Sequence, residues 1–571
     1  MLRLIFSHTK PNFTRRIRHQ SFERCWNGTS SDVRVSRDIL WNHRMSSSSQ
    51  GDSQLRHTVW KLDVTSQDSP VSFGYGNKWL NTKDEEPLYI DSLKGKLLLL
   101  EFWTSCCINC HHSEEETSIL RKEFKDDEGM VFLGVHSPKF PSEREEETLR
   151  MFLKNTGMTQ PVVHDVDRQV WKSFGVRCWP TFIVISPEGN LLYKWEGEGK
   201  MQEMRSFLRE CLGYYRQKGL IDEAPLHRQT DEQSDITSPP LFISPGKLAV
   251  DHERQRLFVS DSGQNKIFVV RADGEVIDVI GSGERGFSDG NLTSVAFNRQ
   301  QGICYDDTRD HLYVADTRNH SLRRVDLSAG HVTTIAGDSF FEDENLEDQE
   351  QRMASPWDVC MDKRDKEGLF VAMAGSHQIW RHDLKDGKTW RISGTGQERS
   401  LNNRVKIESA DWAQPSGLCL NSRGDVLYVA DAESSSVRGV NFEENYTFTL
   451  AGGDPDYPIN LFAYGDVDGG GREARFQHPT ALLKLNDHRL FVADTYNNKI
   501  KCIDTNTNTV TTLFGQVTAA PAKTVTADLL KTDNGKIDGK RDTCRLYHPS
   551  ALALMRDQVY VADTNNGCIR R

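Results

Sequence analysis

The chain has 571 residues, of which 37% are hydrophobic and 27% charged, and its formal net charge is −11 at pH 7. This length allows two to four domains, and the acidic balance argues against a nucleic-acid partner, which would need a basic surface. No uninterrupted apolar run approaches the roughly 18 residues that a membrane-spanning helix needs, so we expect no membrane span.

The N-terminal residues 1–59 form a segment of unusual composition. They are rich in arginine and serine and poor in acidic residues, with a serine run at 46–49. This composition is typical of a mitochondrial transit peptide, whereas the first apolar stretch is too short for a secretory signal. The other interpretation is a disordered tail, with Met45 as an alternative start. We therefore predict a disordered or targeting segment over 1–59.

Residues 60–217 have the pattern of an α/β domain. The apolar run 97–102 predicts a buried strand, and Ile119, Leu120 and Phe124 predict one apolar face on a helix over 111–124. A second parallel strand over 130–137 would complete a β-α-β unit. The other predicted elements are helices over 143–155 and 167–174, a hairpin of strands over 182–186 and 191–195, and a closing helix over 202–216.

Two thiols, Cys107 and Cys110, lie where the first predicted strand gives way to the helix. A helix N-terminus favours negative charge, and the thiolate is the form of cysteine that attacks. The spacing places both sulfurs on one turn, close enough for a disulfide. We therefore predict that Cys107 is a nucleophile and Cys110 the resolving thiol of a thiol–disulfide exchange. Cys106 is a candidate accessory thiol, either a spectator or an alternative partner for Cys110.

The surroundings of these thiols resemble the active site of the thioredoxin-like fold. Phe102-Trp103 precedes the thiols at that family's spacing, and Trp179-Pro180-Thr181 resembles its cis-proline loop. The resemblance implies a cis Pro180 against the sulfurs and a buried acid at Glu101. A buried Glu101 would have a raised pKa and could carry a proton. The intervening Ile108-Asn109 departs from the Gly-Pro that is common in thioredoxins.

A metal site is the alternative interpretation of the cysteines. Soft ligands are offered by Cys106, Cys107 and Cys110, together with His111 or His112. Closed zinc sites draw their ligands from two separated pairs, and the sequence holds no second Cys-x-x-Cys. We therefore expect neither a metal nor a cofactor.

Two further features near the thiols have both a functional and a structural interpretation. The acidic residues 114–116 would oppose thiolate formation, but at this distance we interpret them as a solvated helix face. Cys178, two residues before Pro180, could approach the thiols, although packing is its simpler role.

The second half of the chain is repetitive. Residues 218–240 are polar and predict a linker. Over 241–571 one pattern recurs, a short apolar strand that ends in Asp, then a polar turn and another strand, and Met373 replaces the Asp in the third unit. Short strands at a fixed repeat predict a six-bladed β-propeller. The recurring residues are Asp261, Asp316, Asp431, Asp494 and Asp563.

The recurring Asp residues raise the question of calcium binding. Asp316 is followed by Asn319, and the same spacing recurs at Asp494 and Asp563. Such pairs are typical of turns in which Asp and Asn side chains bond their own backbone. We expect this structural role rather than a calcium site.

The repeats resemble NHL repeats, and their order after a thioredoxin-like domain resembles the NHL-repeat-containing protein 2 family. Residue–proline pairs mark the start of several units, as in Ser355-Pro356, Gln414-Pro415, His478-Pro479 and His548-Pro549. The resemblance covers residues 75–571 and implies a largely cytosolic protein, with a mitochondrial location as the alternative suggested by 1–59. The sixth unit stops inside its third strand, so we expect either an incomplete sequence or closure of the ring by another segment.

Two functional hypotheses follow. In the first, the protein is an intracellular thiol–disulfide oxidoreductase that works through Cys107 and Cys110 and whose propeller recruits a protein substrate. In the second, it is an interaction scaffold, and the thioredoxin-like domain is a second binding surface with little turnover. Both expect a protein partner on the propeller face and on the thioredoxin-like surface.

Overall fold

The computed structural model describes residues 58–63, 73, 76–125, 129–224, 241–338, 352–400, 404–454, 456–457, 459–515, 537–540 and 543–571. All of these lie within one structural unit, residues 48–571. The predicted N-terminal segment lies outside the described residues, apart from its last two residues. Residues 225–240 of the predicted linker also lie outside them. Among the described helices, none combines the length and the apolar character needed to cross a bilayer.

The first part of the unit is a six-stranded mixed sheet in the order β1-β4-β3-β2-β5-β6. The central strand β2 is parallel to β3 and antiparallel to β5. This arrangement confirms the predicted α/β domain, although β1 and β4 were not predicted. The strands are β1 Lys78–Leu80, β2 Leu97–Trp103, β3 Met130–His136, β4 Val162–His164, β5 Thr181–Ile185 and β6 Leu191–Glu196.

The helices that accompany the sheet include α1 Ile108–Glu123, α2 Glu146–Thr156, α3 Gln169–Ser173 and α4 Met201–Gln217, and residues 58–63 are helical as well. Helix α1 begins three residues before its predicted start, so that Cys107 is its N-cap residue. Leu120 is fully buried, as predicted, but Ile119 is 48% exposed. The prediction for Ile119 was therefore wrong, because the apolar face of α1 is narrower than the sequence pattern suggested.

Strand β2 precedes the thiols, and both faces of this strand are covered by apolar side chains. Successive side chains of a strand point to opposite faces. Leu97 and Leu99 lie in one apolar cluster with residues of α4, and Leu98 and Leu100 lie in another with residues of α3. The strand is therefore packed on both sides, and its carboxyl end leads directly into the turn that precedes α1.

The rest of the unit is a propeller of six antiparallel sheets, which confirms the predicted fold. The first sheet consists of β7 Pro245–Asp251, β8 Arg256–Asp261, β9 Lys266–Arg271 and β10 Val276–Ile280. The second consists of β11 Gly290–Asn291, β12 Ile303–Asp306, β13 His311–Asp316, β14 Ser321–Asp326 and β15 His331–Ala336. The third consists of β16 Pro356–Met361, β17 Gly368–Met373, β18 Gln378–Asp383 and β19 Thr389–Ser393.

The remaining three blades follow the same order along the chain. The fourth consists of β20 Pro415–Leu420, β21 Val426–Asp431, β22 Ser436–Asn441 and β23 Tyr446–Gly452. The fifth consists of β24 Gly469–Gly470, β25 Ala481–Asn486, β26 Arg489–Asp494, β27 Lys499–Asp504 and β28 Thr509–Phe514. The sixth consists of β29 Pro549–Met555, β30 Gln558–Asp563 and β31 Cys568–Arg570.

The sixth blade packs directly against the first. Ser550 Oγ donates to the carbonyl of Gly246 at 2.8 Å, and Thr564 Oγ1 donates to that of Pro245 at 2.8 Å. Side chains of both blades share an apolar cluster that includes Phe268 and Tyr560. The first and sixth blades of the ring are thus in direct contact, while the predicted alternatives, an incomplete sequence or closure by another segment, stay predictions.

The recurring Asp at the end of the second strand stabilises the blades that carry it, which are all but the third. The carboxylate of Asp431 accepts the backbone N–H of Ala413 at 2.8 Å and pairs with Arg438 at 2.7 Å. Asn319 donates to Asp316 through its side chain. The Asp residues therefore bond backbone from the start of their own repeat, and the Asn residues bond the Asp. The corresponding ion pairs are Asp316–Arg323, Asp494–Lys501 and Asp563–Arg570.

Five residues that stand just before the first full strand of a blade have a positive φ of 45–57°, and their equivalent place in the repeat puts them at the same end of the propeller. We call them the mouth residues: Arg299, Ser355, Gln414, His478 and His548. Their backbone N–H groups are held by the preceding blade. For example, Ser355 N donates to His320 Nδ1 at 3.0 Å, and His548 N donates to Asn498 Oδ1 at 2.8 Å. These repeated hydrogen bonds between neighbouring blades hold the mouth residues in place.

Candidate active site at the mouth of the propeller

The three neighbouring thiols lie at the start of α1 and are almost fully buried. Cys106, Cys107 and Cys110 are free, and their exposures are 4%, 8% and 3%. Burial raises the pKa of Cys110 well above its usual value, and the hydrogen bond that it makes with Cys107 acts in the same direction. Cys110 is therefore held as a thiol that can donate a hydrogen bond to Cys107.

Cys106 lies beside a buried carboxylate that the sequence analysis had assigned only to a helix. Burial, and then the charge of Glu143, raise the pKa of Cys106 well above its usual value. The Glu143 carboxylate accepts hydrogen bonds from Thr104 Oγ1 (2.7 Å), Cys106 N (3.0 Å), Lys139 N (3.0 Å) and Phe140 N (2.9 Å). Glu143 thus ties the thiol loop to the loop after β3 and disfavours a thiolate at Cys106.

Glu101 lies in the middle of β2, beneath α1, and is buried. Burial, and then the nearby Glu114, raise its pKa to about 8, against the opposing effect of Arg121. Thr117 Oγ1 donates to Glu101 Oε2 at 3.2 Å, while Oε1 has no hydrogen-bond partner among the described residues. The raised pKa agrees with the prediction, and the acid is protonated over much of the neutral range.

The peptide bond between Trp179 and Pro180 is cis, as the resemblance implies, and Pro180 is buried directly before β5. Cys178 Sγ lies 3.8 Å from Thr181 Oγ1. Burial raises the pKa of Cys178 to about 11, and Cys107 is among the charges that add to this shift. The structure therefore places Cys178 close enough to Cys107 for their charges to interact. The roles of Cys178 and Pro180 stay predictions.

The propeller binds the thiol loop through Gln414. The side-chain oxygen of Gln414 accepts the backbone N–H of Ile108 at 2.9 Å, and its side-chain nitrogen donates to the carbonyl of Cys106 at 3.0 Å. The residues on either side of Cys107 are therefore held by one amide from the fourth blade. Because Gln414 is a mouth residue, the mouth of the propeller faces the thiols.

A second contact joins α1 to the third blade. His112 Nε2 lies 2.7 Å from Ser355 Oγ, and His112 Nδ1 lies 2.7 Å from Glu198 Oε2. Burial lowers the pKa of His112 to about 3 and raises that of Glu198 to about 8. We therefore regard the pair as uncharged, a hydrogen bond between neutral groups rather than an ion pair.

The loop after β3 rests on the fourth and fifth blades. Lys139 forms a buried ion pair with Glu433. Phe140 packs edge-on against Tyr464 and Tyr496, with ring centroids 4.9 and 5.4 Å away. Helix α2 adds a hydrogen bond of 2.7 Å between Thr148 and Tyr547 of the sixth blade. The thioredoxin-like domain therefore covers a large part of the propeller mouth.

The acidic residues of α1 face the protein rather than solvent. Glu115 pairs with Arg318 of the second blade at 2.7 Å, and Glu114 pairs with Arg121 of its own helix at 2.6 Å. The prediction of a solvated helix face was therefore wrong. The sequence shows the charges but not the propeller surface against which the helix packs.

The ligands proposed for a metal site are used in other ways. Within the described ranges, no group of three or more His, Cys, Asp or Glu side chains is arranged to hold a metal ion. His111 Nε2 lies 2.9 Å from the carbonyl of Ser105, and His112 contacts Ser355 as described above. The geometry therefore does not favour the metal interpretation of these cysteines.

Comparisons with known proteins agree with this architecture. A thioredoxin-like family model matches residues 95–191, and an NHL-repeat model matches residues 297–324. NHL repeat-containing protein 2 of Bos taurus is 37% identical over 544 residues, which cover 91% of this chain and 72% of the relative. The chain belongs to the NHL repeat-containing protein 2 family.

Two other proteins are similar to this chain. Protein SUPPRESSOR OF QUENCHING 1, chloroplastic, of Arabidopsis thaliana is 38% identical over 549 residues. The chain spans half the length of that relative, whereas the matched part is 93% of this chain. The thiol-disulfide oxidoreductase ResA of Bacillus subtilis (strain 168) is 31% identical over 140 residues, which are 24% of this chain and 74% of ResA.

In this NHL-repeat protein, the sequence alone did not predict that propeller residues contact the thiol loop. Sequence analysis had noted the residue–proline pairs that mark the blades, and three of these residues, Ser355, Gln414 and His478, now lie against the thioredoxin-like domain. The signal was their recurrence at one position of the repeat, because equivalent positions of a propeller lie at the same end of the ring. Their partner surface could not be inferred from that recurrence.

Proposed function

We propose that the chain is a thiol–disulfide oxidoreductase in which Cys107 attacks and Cys110 resolves. The observation that carries this proposal is the placement of the two thiols at the start of α1, where Cys107 is the N-cap residue and Cys110 lies in the first turn. A helix N-terminus favours negative charge, and the thiolate is the form of cysteine that attacks. ResA, which is similar to the same part of the chain, is named as a thiol-disulfide oxidoreductase, and this supports the same chemistry.

The exchange has two steps. The Cys107 thiolate attacks one sulfur of a substrate disulfide, so that a mixed disulfide forms and the other substrate sulfur leaves as a thiolate. Cys110 then loses its proton, attacks Cys107 Sγ and releases the second substrate thiol. The chain ends with a redox-active Cys107–Cys110 disulfide. Glu101, buried and with a pKa of about 8, would accept the Cys110 proton in its ionised form, which is the minor form at pH 7 and grows as the pH approaches 8.

The propeller would regulate access to these thiols and bind the protein partner. In the described arrangement Gln414 holds the thiol loop, and the three thiols are 3–8% exposed. A protein disulfide is too large to reach Cys107 unless the two parts separate. A protein partner would therefore compete with the thioredoxin-like domain for the mouth of the propeller.

An interaction scaffold is the second candidate function. It is favoured by the same burial, which raises the pKa of both Cys106 and Cys110. If the propeller never releases the thiol loop, the thiols would serve only to pack the interface. In that case the partner would bind elsewhere on the propeller or the thioredoxin-like domain.

The two candidates differ in whether a reversible disulfide forms. The full chain would be equilibrated with mixtures of oxidised and reduced dithiothreitol, quenched with acid and mapped by mass spectrometry. The oxidoreductase proposal expects a Cys107–Cys110 disulfide that follows the ratio of the mixture. Cys106→Ser should retain it, and Cys107→Ser should abolish it. A wild-type chain without this disulfide at any ratio would leave the scaffold function.

We further propose that the protein works in the cytosol, a reducing compartment in which free thiols persist. The family resemblance supports this location, whereas the composition of residues 1–59 supports mitochondria and the Arabidopsis relative is named as chloroplastic. Imaging of the full chain and of a chain that lacks residues 1–59 would decide. An organellar signal that depends on 1–59 would contradict the cytosolic proposal.

A further inference from the structure

Three arginines lie together at the mouth end of the second blade. The N–H of the residue after Arg285 bonds to the carbonyl of Phe297 at 3.1 Å, and Arg318 N bonds to the carbonyl of the residue before Arg299 at 3.1 Å. These backbone contacts bring Arg285, Arg299 and Arg318 to one place. We call these three residues the arginine cluster.

The contacts of the arginine cluster do not balance its charge. Glu115 of α1 pairs with Arg318 at 2.7 Å, and the neighbouring Glu114 is engaged by Arg121. Arg299 Nε is buried and has no hydrogen-bond partner among the described residues. Burial, then the charges of Arg318 and Arg285, lower the pKa of Arg299 to about 9. A bound anion would relieve this repulsion.

The cluster also lies beside the thiol helix. Burial, and then the charge of Arg318, lower the pKa of His111 to about 3, and Arg299 adds to this shift. His111 directly follows Cys110. The Glu115 carboxylate on Arg318 shows which kind of anion the cluster accepts, since planar guanidinium groups match carboxylates in geometry. A carboxylate ligand held here would be close to the first turns of α1.

We infer that the arginine cluster binds a carboxylate of a small thiol of the glutathione class. This inference rests on the proposed exchange function and names its low-molecular-weight reductant. A small ligand fits the site better than a protein, because the propeller mouth covers Cys107 and leaves it 8% exposed.

The reductive reaction balances with two small thiols. The thiolate of the first attacks one sulfur of the Cys107–Cys110 disulfide, which gives a mixed disulfide and a protein thiolate. The thiolate of the second attacks the sulfur of the bound small molecule. Its disulfide leaves, and the two cysteines take up the two protons that the small thiols lost. Two electrons pass from the small thiols to the protein.

The test separates binding from exchange by using the full chain with Cys107→Ser and Cys110→Ser. Oxidised glutathione is titrated into this chain in a calorimeter at constant ionic strength. Arg299→Gln should weaken binding roughly tenfold or more, because a charge-assisted hydrogen bond is lost. Arg285→Gln, at an exposed loop position, should do the same with less risk to folding. The tetramethyl ester of oxidised glutathione, which lacks the carboxylates, should not bind measurably.

Arg423→Gln is the matched control, because Arg423 is an exposed arginine in the turn between β20 and β21, at the other end of the strands. It should bind oxidised glutathione like its parent. No binding by the double variant, or unchanged binding in both Arg299→Gln and Arg285→Gln, would overturn the site. Binding that depends on these arginines, combined with a wild-type chain that forms no Cys107–Cys110 disulfide, would instead refute the exchange function and leave the site standing.

Discussion

Gln414 caps the helix that begins with Ile108. Its side-chain oxygen accepts the Ile108 N–H at 2.9 Å, whereas the helix's own N-cap residue, Cys107, makes no side-chain capping bond. The first N–H groups of a helix need partners from outside the helix. Here the partner comes from a blade 306 residues away. The thiol helix is therefore completed by the propeller, and changes in one part should be felt in the other.

Replacing Gln414 with Ala should make Cys107 more reactive. The change removes two hydrogen bonds to the thiol loop, which together contribute about 1–2 kcal/mol. Opening of the interface should then become roughly tenfold more frequent. The measurement is the rate of iodoacetamide labelling of Cys107 in the full chain at fixed pH, followed by peptide mass spectrometry. Gln264→Ala, whose side-chain bonds stay within the first blade, should label at the wild-type rate. Equal rates for both variants would contradict the capping role.

The local part of the site could be predicted from sequence, and the non-local part could not. Cys107, Cys110 and the cis Pro180 follow from short motifs that carry their own structural context. Gln414 could be found as a repeat position, but its partner is set by how two separately folded parts pack. Glu115 shows the same limit, because a charged helix residue has the same pattern whether it faces water or Arg318.

Breaking the ion pair between Lys139 and Glu433 should destabilise the interface strongly. Both side chains are buried, at 5% and 4% exposure. Burial opposes the charge on Glu433, but Lys139 and then His478 more than compensate, so its pKa lies below the usual value. Lys139→Met would leave the buried Glu433 without its main counter-charge and with only His478 beside it, at a cost of about 3–5 kcal/mol. Urea unfolding of the full chain at pH 7 measures this loss.

The double variant Lys139→Met/Glu433→Leu should recover much of that loss, because no buried charge is then left alone. Lys218→Met is a control, since Lys218 pairs with Asp63 away from the interface and is 41% exposed. It should cost less than about 1 kcal/mol. A double variant as unstable as Lys139→Met would show that packing, and not the charge left unpaired, causes the loss.

The third blade suggests how a blade can be held together without an ion pair. It has Met373 at the Asp position and Trp380 seven residues later, and both lie in one apolar cluster. In the fourth blade, Asp431 and Arg438 are fully buried as a pair. Asp431→Met alone should lower the free energy of unfolding by about 3–5 kcal/mol, since it removes the buried carboxylate that pairs with Arg438 at 2.7 Å. Asp431→Met/Arg438→Met should lower it by clearly less, as measured by urea unfolding. Equal losses would contradict this explanation.

Glu101 should make the protein less stable as the pH rises. Its pKa is about 8 in the folded chain, mainly because of burial, against the usual value of 4.5 for a glutamic acid. The folded state therefore binds more protons than the unfolded state between these values. The stability that protonated Glu101 contributes is complete below pH 4.5 and is lost as the pH rises through 8. From pH 5 to pH 8 the loss is on the order of 2–4 kcal/mol.

Glu101→Gln keeps the shape of the protonated acid and removes its titration. In urea unfolding, the free energy of unfolding of this variant minus that of wild type should increase steadily between pH 5 and pH 8. Glu198, also with a pKa of about 8, titrates in both chains and does not contribute to this difference. Glu188→Gln, at an exposed position in the turn between β5 and β6, should run parallel to wild type. If the Glu101→Gln curve also runs parallel, the pKa of Glu101 is not raised in the folded chain, and its carboxylate would be too weak a base to take the proton of Cys110.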